Sequence, residues 1–374
     1  MKMKKPSIFD NMPDSEKPDV NKEAFKRKRK EKWQSANRFM DRLFGFILVT
    51  VLILGSGALG FCYMTVKGPS DTFRKLFMYT FAETRRFDFI NNLFYTSDEI
   101  AAMGLTDQAR GEEIMTPTID TSLITISEEK TDVNGMDAYG LVDDDGDGII
   151  LQTVNFRGST GYLIVVLDPT RVFLGTAQNA DVVYGAAGMV LDDLVAKYGA
   201  RGGINAGVFV DTSGAGSGWP PQGITISEGV PYVYDEYGAV GGLTEDGVFY
   251  CGYYSYADCV NLGLKNACSF GPVIIANGAK VGEEELSSGV NPRTCIGQRG
   301  DGAILMLVVD GRQAYSFGLS YSDCADLLLE YGCVNAINMD GGSSTCMYMD
   351  GELINHPSNQ AGGTRYLPTA WLFK

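Results

Sequence analysis

The stretch that decides the fold is Asn335-Ala336-Ile337-Asn338-Met339-Asp340-Gly341-Gly342-Ser343-Ser344-Thr345. A short apolar run ends abruptly in an amide, a carboxylate, two glycines and three hydroxyls, which predicts a buried strand with polar groups at its C-terminal end. That end is where α/β proteins place their ligand sites, and paired glycines let a ligand approach the backbone closely. The alternative is a tight turn between two strands with a solvated aspartate.

An internal repeat surrounds this stretch. Residues 191–205 align with residues 324–338 at an offset of 133, and Asp, Leu, Tyr, Gly, Ile and Asn coincide. Each copy predicts a helix stopped by glycine, followed by a short strand that ends in Asn205 or Asn338. The upstream runs Tyr162–Asp168 and Ile304–Asp310 are also similar. The alternative is a chance likeness of two helix–glycine–strand segments.

The repeat and the alternating helical and strand-like runs predict a mixed α/β fold. It consists of one large extracellular domain with two pseudo-repeated strand–helix–strand units, preceded by one transmembrane helix. Asn205 and Asn338 are expected to face one cleft. After Asn205 the chain continues into a glycine-rich loop that ends in Trp219, whose ring is a candidate cover for a sugar.

The charge of the 374-residue chain is divided unevenly. Residues 1–42 carry 13 Lys/Arg against 7 Asp/Glu, a net charge of +6, whereas the remainder carries 18 against 39, a net of −21. A surface as acidic as that of the larger part cannot neutralise nucleic-acid phosphates. Nucleic acid is therefore excluded as a partner of that part.

A membrane anchor is predicted over residues 43–66, which form 24 uncharged residues between Arg42 and Lys67. That length spans a bilayer. The basic cluster Lys26–Lys30 precedes it, so the positive-inside rule places the N-terminus in the cytoplasm and the rest outside. A cleaved signal peptide is the alternative, but the apolar run is long and no clear cleavage site follows.

The chain therefore divides into four predicted segments. Residues 1–42 form a disordered basic cytoplasmic tail, residues 43–66 a transmembrane helix, residues 67–115 a helical stalk or lid, and residues 116–374 the main domain. Seven cysteines lie beyond Cys62. None shows the two-residue spacing of a zinc site, and most lie in apolar runs, which favours buried thiols over disulfides.

Two other motifs carry weaker signals. Asp143-Asp144-Asp145-Gly146-Asp147-Gly148 imitates the start of a calcium-binding loop, but Val154 takes the place of the bidentate acid at its twelfth position, which favours a charged loop. His356 is the single histidine. It excludes histidine-based metal clusters, any Ser-His-Asp triad would depend on it, and its place beside Pro357 favours a structural role.

Two arginines lie near strand ends, in Pro292-Arg293-Thr294 and Asp310-Gly311-Arg312. A guanidinium suits a phosphate because its planar fork donates two parallel hydrogen bonds and stays charged. A single arginine at a strand end is usually a surface ion pair. Two of them near two aspartates in an acidic domain favour an anionic ligand.

With these residues quoted, the second half of the chain resembles the phosphodiester glycosidase family across about Thr160 to Lys374. The matching stretches are Gly203–Phe209, Phe270–Val273, Pro292–Gly297, Val309–Arg312, Asn338–Ser344, Asn355 and Gly363–Arg365. Two positions depart from the family pattern, since Ala206 replaces a usual glycine and Cys295 a usual alanine. The anchor and stalk resemble those of bacterial membrane-anchored members.

The resemblance implies an enzyme that hydrolyses a sugar-1-phosphodiester of the N-acetylglucosamine-1-phosphate type, in a cell-surface glycopolymer such as an exopolysaccharide. The released sugar leaves a phosphate monoester on the acceptor. Asp340 is the first candidate for the catalytic carboxylate and Asp310 the second, with Arg293 on the phosphate. The expected substrate-binding residues are Asn205, Arg312, Asn338, Gly341, Gly342, Ser343, Ser344 and Arg365.

Two alternatives remain open at this point. A non-catalytic wall-binding domain would hold an anionic glycopolymer in the same cleft, and an exo-glycosidase without phosphate specificity would not need Arg293. No cofactor is firmly implied, although the acidic loops leave room for a divalent cation.

Overall fold

The computed structural model describes residues 20–83, 89–96, 99, 118–127, 130–182, 186–211, 217–234, 237–282, 286–359 and 363–374. The chain consists of two units, Met1–Gly68 and Pro69–Lys374. In the first unit, helix α1 runs without a break over Val20–Lys67. Its part from Ala24 to Met64 is long and apolar enough to cross a membrane, a property shared by membrane spans and signal sequences.

The predicted disorder of residues 1–42 is wrong for residues 20–42, which form the first half of α1. Lys, Glu, Arg and Ala are good helix formers, so the polar segment extends the apolar helix without needing an apolar face of its own. Residues 1–19 lie outside the described residues. In the predicted stalk, α2 covers Asp71–Glu83 and α3 covers Phe89–Phe94, while residues 84–88, 97–98 and 100–117 lie outside the described residues.

The second unit combines short helices with many strands. Its further helices are α4 (Leu191–Tyr198), α5 (Tyr256–Asn261) and α6 (Tyr321–Glu330). The strands are β1 (Ile149–Phe156), β2 (Ser159–Val166), β3 (Val172–Thr176), β4 (Gly202–Asn205), β5 (Ile224–Ser227), β6 (Val230–Tyr234), β7 (Gly238–Thr244), β8 (Phe249–Tyr254), β9 (Leu264–Ser269), β10 (Val273–Ala276), β11 (Ala279–Lys280), β12 (Arg293–Arg299), β13 (Ile304–Val309), β14 (Cys333–Asn338), β15 (Met347–Met349), β16 (Glu352–Leu353) and β17 (Thr369–Phe373).

The strands form three antiparallel sheets. The largest has the order β1-β2-β13-β12-β14-β10-β11, the second β16-β15-β4-β17-β3 and the third β6-β5-β9-β7-β8. Strands such as β13, with the sequence ILMLVV, are buried along their whole length because both faces of the largest sheet are covered. One face packs on α6, and the other packs on apolar residues from the second and third sheets.

The two helices of the proposed repeat end as the sequence predicts. Gly199 follows α4 with a positive φ of 56°, and Gly332 lies after α6 with a φ of 75°. Strands β4 and β14 then end in their asparagines, in different sheets. The two strands of the upstream match, β2 and β13, are direct antiparallel neighbours in one sheet, and their equivalence as repeats stays a prediction. The relation of the two helix–strand segments as repeats stays a prediction.

Candidate active site

Asp340 follows β14 at the point where the ends of β14 and β4 meet. Its backbone N–H donates to the carbonyl of Ala206 at 3.0 Å, and its carbonyl accepts from Asn205 Nδ2 at 2.5 Å. The backbone is thereby held on both sides. Burial raises the pKa of the Asp340 carboxyl to about 6, Ser344 and Arg365 act against this shift, and Asp211 adds to it.

Arg365 connects the neighbouring loop to a second carboxylate. Its guanidinium donates to Ser343 Oγ at 3.2 Å and to Asp211 Oδ2 at 3.0 Å. The same group lies over the ring of Phe209, 4.9 Å from the ring centroid. Arg365 is thus held near Asp340 by contacts with three different residues.

Arg312 lies near the same loop, residues 341–344, which we call the glycine loop. Gly342 has a φ of 61°, and a Cβ at this position would lie 3.3 Å from Arg312 Nη2. Arg312 itself adopts a φ of 60°, and its Nε and Nη2 donate to Asn291 Oδ1 at 3.2 and 3.0 Å. Two guanidinium groups, those of Arg312 and Arg365, therefore lie close to the glycine loop, and Arg312 is exposed.

Arg293 does not join this exposed group. Only 4% of the residue is exposed, and its guanidinium donates to the carbonyl of Leu319, to the carbonyl of Gly289 and to Glu83 Oε2, the last at 2.7 Å. It also lies 4.1 Å from the centroid of the Tyr321 ring. The predicted phosphate contact of Arg293 is thus replaced here by a contact with α2.

Glu83 completes a second cluster of charges, which we call the buried pair, Glu83 and Arg293. Glu83 Oε1 accepts from the N–H of Gly289 at 2.9 Å, and Oε2 also accepts from Asn291 Nδ2 at 2.8 Å. Asn291 therefore bridges the buried pair and Arg312. No sequence motif pointed to Glu83, because its partners lie more than two hundred positions away in the chain.

The two asparagines that end β4 and β14 are both buried. Asn205 Oδ1 accepts from Thr294 Oγ1 at 2.8 Å and from the N–H of Cys346 at 3.0 Å. Asn338 Nδ2 donates to the carbonyls of Gly271 and Met339 at 3.0 and 2.8 Å. Their amides hold the strand ends together. The prediction that both asparagines face a cleft is therefore wrong.

Asp310 follows β13 and is 1% exposed. Its Oδ1 accepts from Asn355 Nδ2 at 3.0 Å and from the backbone N–H of His356 at 2.9 Å. Burial raises the pKa of Asp310, and these two donors oppose the rise. Asp310 is therefore separated from solvent, in contrast to the partly exposed Asp340.

The glycine-rich loop after β4 lies largely outside the described residues, which exclude residues 212–216. Trp219 at its end is buried, and its Nε1 donates to the carbonyl of Val182 at 2.8 Å. The expectation that this ring covers a sugar is wrong for this conformation, because the ring packs in the core between β3, α4 and β17.

The cysteines form no disulfides. All eight are free, and the seven beyond Cys62 are buried, as the apolar setting predicts.

The acidic loop brings three carboxylates together. Those of Asp143, Asp145 and Asp147 lie within 4.8 Å of one another, an arrangement that can hold a cation. Arg201 already pairs with Asp147 and lies 3.9 Å from Asp145, so the loop is partly neutralised by the chain itself.

Comparison with known proteins points to one family. Residues 198–374 match the family model described as phosphodiester glycosidase. The chain is 29% identical over 206 residues to the SPbeta prophage-derived uncharacterized protein YomE of Bacillus subtilis (strain 168), covering 52% of this chain and 30% of that protein. It is 37% identical over 70 residues to bovine N-acetylglucosamine-1-phosphodiester alpha-N-acetylglucosaminidase, covering 19% of this chain and 13% of the relative. The chain thus spans less than a third of the length of these relatives.

A solved structure shares the fold. The zebrafish N-acetylglucosamine-1-phosphodiester alpha-N-acetylglucosaminidase catalytic domain, described as auto-inhibited by its pro-peptide, superposes with a TM-score of 0.52 at 20% identity. The match covers 60% of this chain and 81% of that domain. At this level of identity the likeness concerns the fold.

Proposed function

Because residues 198–374 match the phosphodiester glycosidase family model, we propose that the protein hydrolyses the bond between a sugar and the phosphate of a sugar-1-phosphodiester. The products are the free sugar and a phosphate monoester. The family relation supports hydrolysis of a phosphodiester-linked sugar, and the residues around Asp340 supply groups suited to that reaction.

One observation carries the proposal: a carboxyl with a raised pKa precedes a glycine loop that has both Arg312 and Arg365 close to it. Guanidinium groups bind phosphate oxygens, and a carboxylate stabilises the cationic sugar of the transition state. A Cβ on Gly342 would meet the Arg312 guanidinium at 3.3 Å, so glycine leaves this group room beside the backbone.

In the proposed reaction Arg312 binds the phosphate, assisted by backbone amides of the glycine loop. Arg365 positions Ser343 by a hydrogen bond, and its positive charge lies near the carboxylate of Asp340. Phosphate is a good leaving group, so the proton-donating carboxyl of ordinary glycosidases is not needed. Asp340 activates water or stabilises the oxocarbenium ion, whereas the buried Asp310, Asn205 and Asn338 act as supports.

Arg293 has a different role in this proposal from the one expected from sequence. Its donors are used by Glu83 and two carbonyls, so it fixes the segment that carries Asn291. Asn291 in turn accepts from Arg312. Arg293 thus acts indirectly in this proposal: it helps to orient Arg312, the residue proposed to bind the phosphate, through Asn291.

We further propose that α1 anchors the protein in a membrane with its basic N-terminal end in the cytoplasm. The charge asymmetry on the two sides of the apolar segment supports this orientation. The catalytic domain is then extracellular, where phosphodiester-linked surface glycopolymers, including exopolysaccharides, are accessible substrates.

The test is incubation of the full-length protein in detergent with UDP-N-acetylglucosamine and an aryl N-acetylglucosamine-1-phosphodiester, with free sugar as the readout. Release that disappears in Asp340→Asn is expected. Binding of a teichoic-acid-like polymer without any sugar release would instead support a non-catalytic wall-binding domain. The same assay after chelation determines whether a divalent cation takes part.

A matched substrate without phosphate separates the other alternative. The aryl N-acetylglucosaminide contains the same sugar and the same aryl group but no phosphodiester between them. We expect turnover of the phosphodiester alone, because Arg312 has no anion to bind in the simple glycoside. Equal turnover of both compounds would identify an exo-glycosidase without phosphate specificity.

A further inference from the structure

His356 is placed beside a buried carboxylate that has one oxygen left over. Asp310 uses Oδ1 to accept two hydrogen bonds, while Oδ2 has no hydrogen-bond partner among the described residues. That oxygen lies 3.4 Å from His356 Nδ1. The Asp310 side chain is fully buried and 67% of the His356 side chain is exposed, so the carboxylate faces one ring nitrogen and solvent reaches the ring.

The segment around His356 is tied to the glycine loop. Asn355 Nδ2 donates to the carbonyl of Thr345 at 3.2 Å, and Ser358 Oγ lies at 3.4 Å from the carbonyl of Gly342. Gln313 Nε2 donates to the carbonyl of His356 at 2.6 Å. The ring therefore stands on a segment that is held against the loop after Asp340 and against the hairpin after Arg312.

A third contact limits the orientation of the ring. Tyr315 meets the imidazole edge to face, with 6.3 Å between the ring centroids and an angle of 85°. The backbone N–H of His356 is bound to the same carboxylate as its side chain. An exposed loop histidine with a purely incidental position would not have its backbone, its ring and its neighbour Asn355 all directed at one buried aspartate.

We propose that His356 is the general base of the hydrolysis and that Asp310 is its positioning residue, an inference that rests on the proposed function. A water molecule gives a proton to His356 Nε2 while its oxygen bonds to the anomeric carbon. The bond from that carbon to the phosphate oxygen breaks, and its electron pair leaves with the phosphate monoester. Nε2 then returns the proton to solvent. Asp340 is left with one role, stabilisation of the cationic sugar.

The carboxylate of Asp310 selects the ring tautomer that this step requires. An acceptor beside Nδ1 keeps the proton on that nitrogen, so the lone pair of the neutral ring lies on Nε2. The Asp–His arrangement of serine hydrolases works by the same principle. Asp310→Asn places an amide beside Nδ1 and favours the opposite tautomer.

The first experiment measures turnover of a sugar-1-phosphodiester by full-length His356→Ala. We expect kcat to fall about 10²-fold or more with little change in KM, which is the usual effect of losing a general base. Added imidazole should restore part of the lost rate, because the exposed position leaves room for it. Glu352→Gln, an exposed substitution four residues earlier, is the control and should retain full activity.

The second experiment uses the fact that the chain contains one histidine. Nitrogen-15 labelling of histidine reports the ring tautomer without competing signals and without any substrate. We expect the neutral ring to carry its proton on Nδ1 in the wild type and on Nε2 in Asp310→Asn. That variant should lose activity that imidazole does not restore, and the double variant should be no slower than the slower single variant.

The outcomes separate this inference from the proposed function. Full activity of His356→Ala on a phosphodiester that the wild type hydrolyses overturns the base assignment and leaves the function intact. A proton on Nε2 in the wild type overturns the positioning role of Asp310 whatever the activity. Failure of the wild type to release sugar from any sugar-1-phosphodiester overturns the function and, with it, the catalytic role of His356.

Discussion

The buried pair and the glycine loop use similar chemistry in opposite environments. In the buried pair, Arg293 is 4% exposed and its donors are consumed by Glu83 and two carbonyls. At the glycine loop, Arg312 is exposed beside the backbone of Gly342. Asn291 contacts both, with its amide nitrogen on Glu83 and its oxygen on Arg312.

The difference teaches that burial decides the role of an arginine. A guanidinium removed from water must be fully hydrogen-bonded within the protein, because an unpaired buried charge is costly. Such a group contributes to stability and orientation. A guanidinium that solvent reaches can exchange water for a substrate anion, so the same residue type becomes a ligand. The predictions below test this division between a structural cluster and a reactive one.

The largest expected effect is the loss of stability in Arg293→Met. Removal of the Arg293 guanidinium leaves the carboxylate of Glu83 without its positive partner, and breaking a buried ion pair in this way typically costs about 3–5 kcal/mol of unfolding free energy. Denaturant unfolding of the full-length protein measures this change. Arg157→Ala is the control, since Arg157 is 56% exposed where it pairs with Asp326, and we expect a loss below about 1 kcal/mol.

The division into a structural and a reactive cluster would be wrong if Arg293 bound the substrate phosphate and α2 merely covered it. Glu83→Gln keeps the shape of the side chain but removes its charge. Under the structural assignment, this variant is less stable and no more active. A rise in turnover would contradict the assignment, because it would mean that Glu83 competes with the substrate for Arg293.

The next effect is the loss of turnover in Asp340→Asn. We expect kcat to fall about 10²- to 10³-fold, as is typical when one stabilising group of a transition state is removed. Asp193→Asn, on an exposed position of α4, is the control and should be unchanged. Near-normal turnover of Asp340→Asn would remove this carboxyl from the mechanism.

The same carboxyl predicts two pH effects with a defined sign. Its pKa is raised to about 6, so the ionised form that the reaction needs accumulates as the pH rises through that value, and kcat should rise with it. The stability that a raised pKa contributes is present at low pH and lost over the same interval. Asp340→Asn should therefore be more stable than the wild type at pH 7, by roughly 1–3 kcal/mol in unfolding experiments.

A smaller effect is expected at Arg312, which tests the exposed half of the comparison. Loss of hydrogen bonds to a charged group typically costs about 1.5–3 kcal/mol, so Arg312→Ala should lower kcat/KM roughly 10- to 150-fold. Arg312→Lys should recover only part of the loss, because an ammonium lacks the planar fork. Stability should change little in either variant. A loss of stability as large as that of Arg293→Met would place both arginines in one structural class.

The smallest effect is expected at Gly342, where a substitution tests whether the close approach of the glycine loop to Arg312 matters for activity. An alanine there adopts a strained φ of 61° and meets Arg312 Nη2 at 3.3 Å. Gly199→Ala is the matched control, because its φ is 56° and no atom lies within 4 Å of the added Cβ. Both variants should lose about 1 kcal/mol of stability. Only Gly342→Ala should also lower kcat/KM, by a few-fold, which corresponds to a free energy on the order of 1 kcal/mol. Equal kcat/KM values for the two variants would show that the approach of Gly342 to Arg312 has no part in catalysis.

Much of the architecture was accessible from sequence because it depends on local patterns. The apolar segment of residues 43–66 predicted a long apolar helix, and α1 contains it. The glycines at Gly199 and Gly332 marked the ends of α4 and α6. Residues 20–42 were missed as helix because a polar segment without an apolar face has no periodic signal, yet it forms the first half of the helix that the apolar segment completes.

The site was accessible only in part. Asp340, the glycine loop and Arg365 were named from motifs, and the structure brings them together. Asn205 and Asn338 were also named, but their amides are directed inward. Asp211, Asn291, Glu83 and His356 were not assigned to the site. A single sequence gives no measure of which distant polar residues meet, so only Asp211, Asn291 and His356, which lie next to quoted motifs, had any signal, and Glu83 had none.

The amino-acid sequence by itself determined the apolar N-terminal helix, the two helix–glycine–strand segments, the strand that leads to Asp340 and the chemical groups after it. These properties follow from residue types and spacings along a few turns or a single strand. The tertiary structure alone decided that Arg293 is buried against Glu83, that Arg312 is exposed, and that Asp310 faces His356. Those outcomes depend on burial and on contacts between residues far apart in the chain, which set the cost of a charge and the direction of a proton.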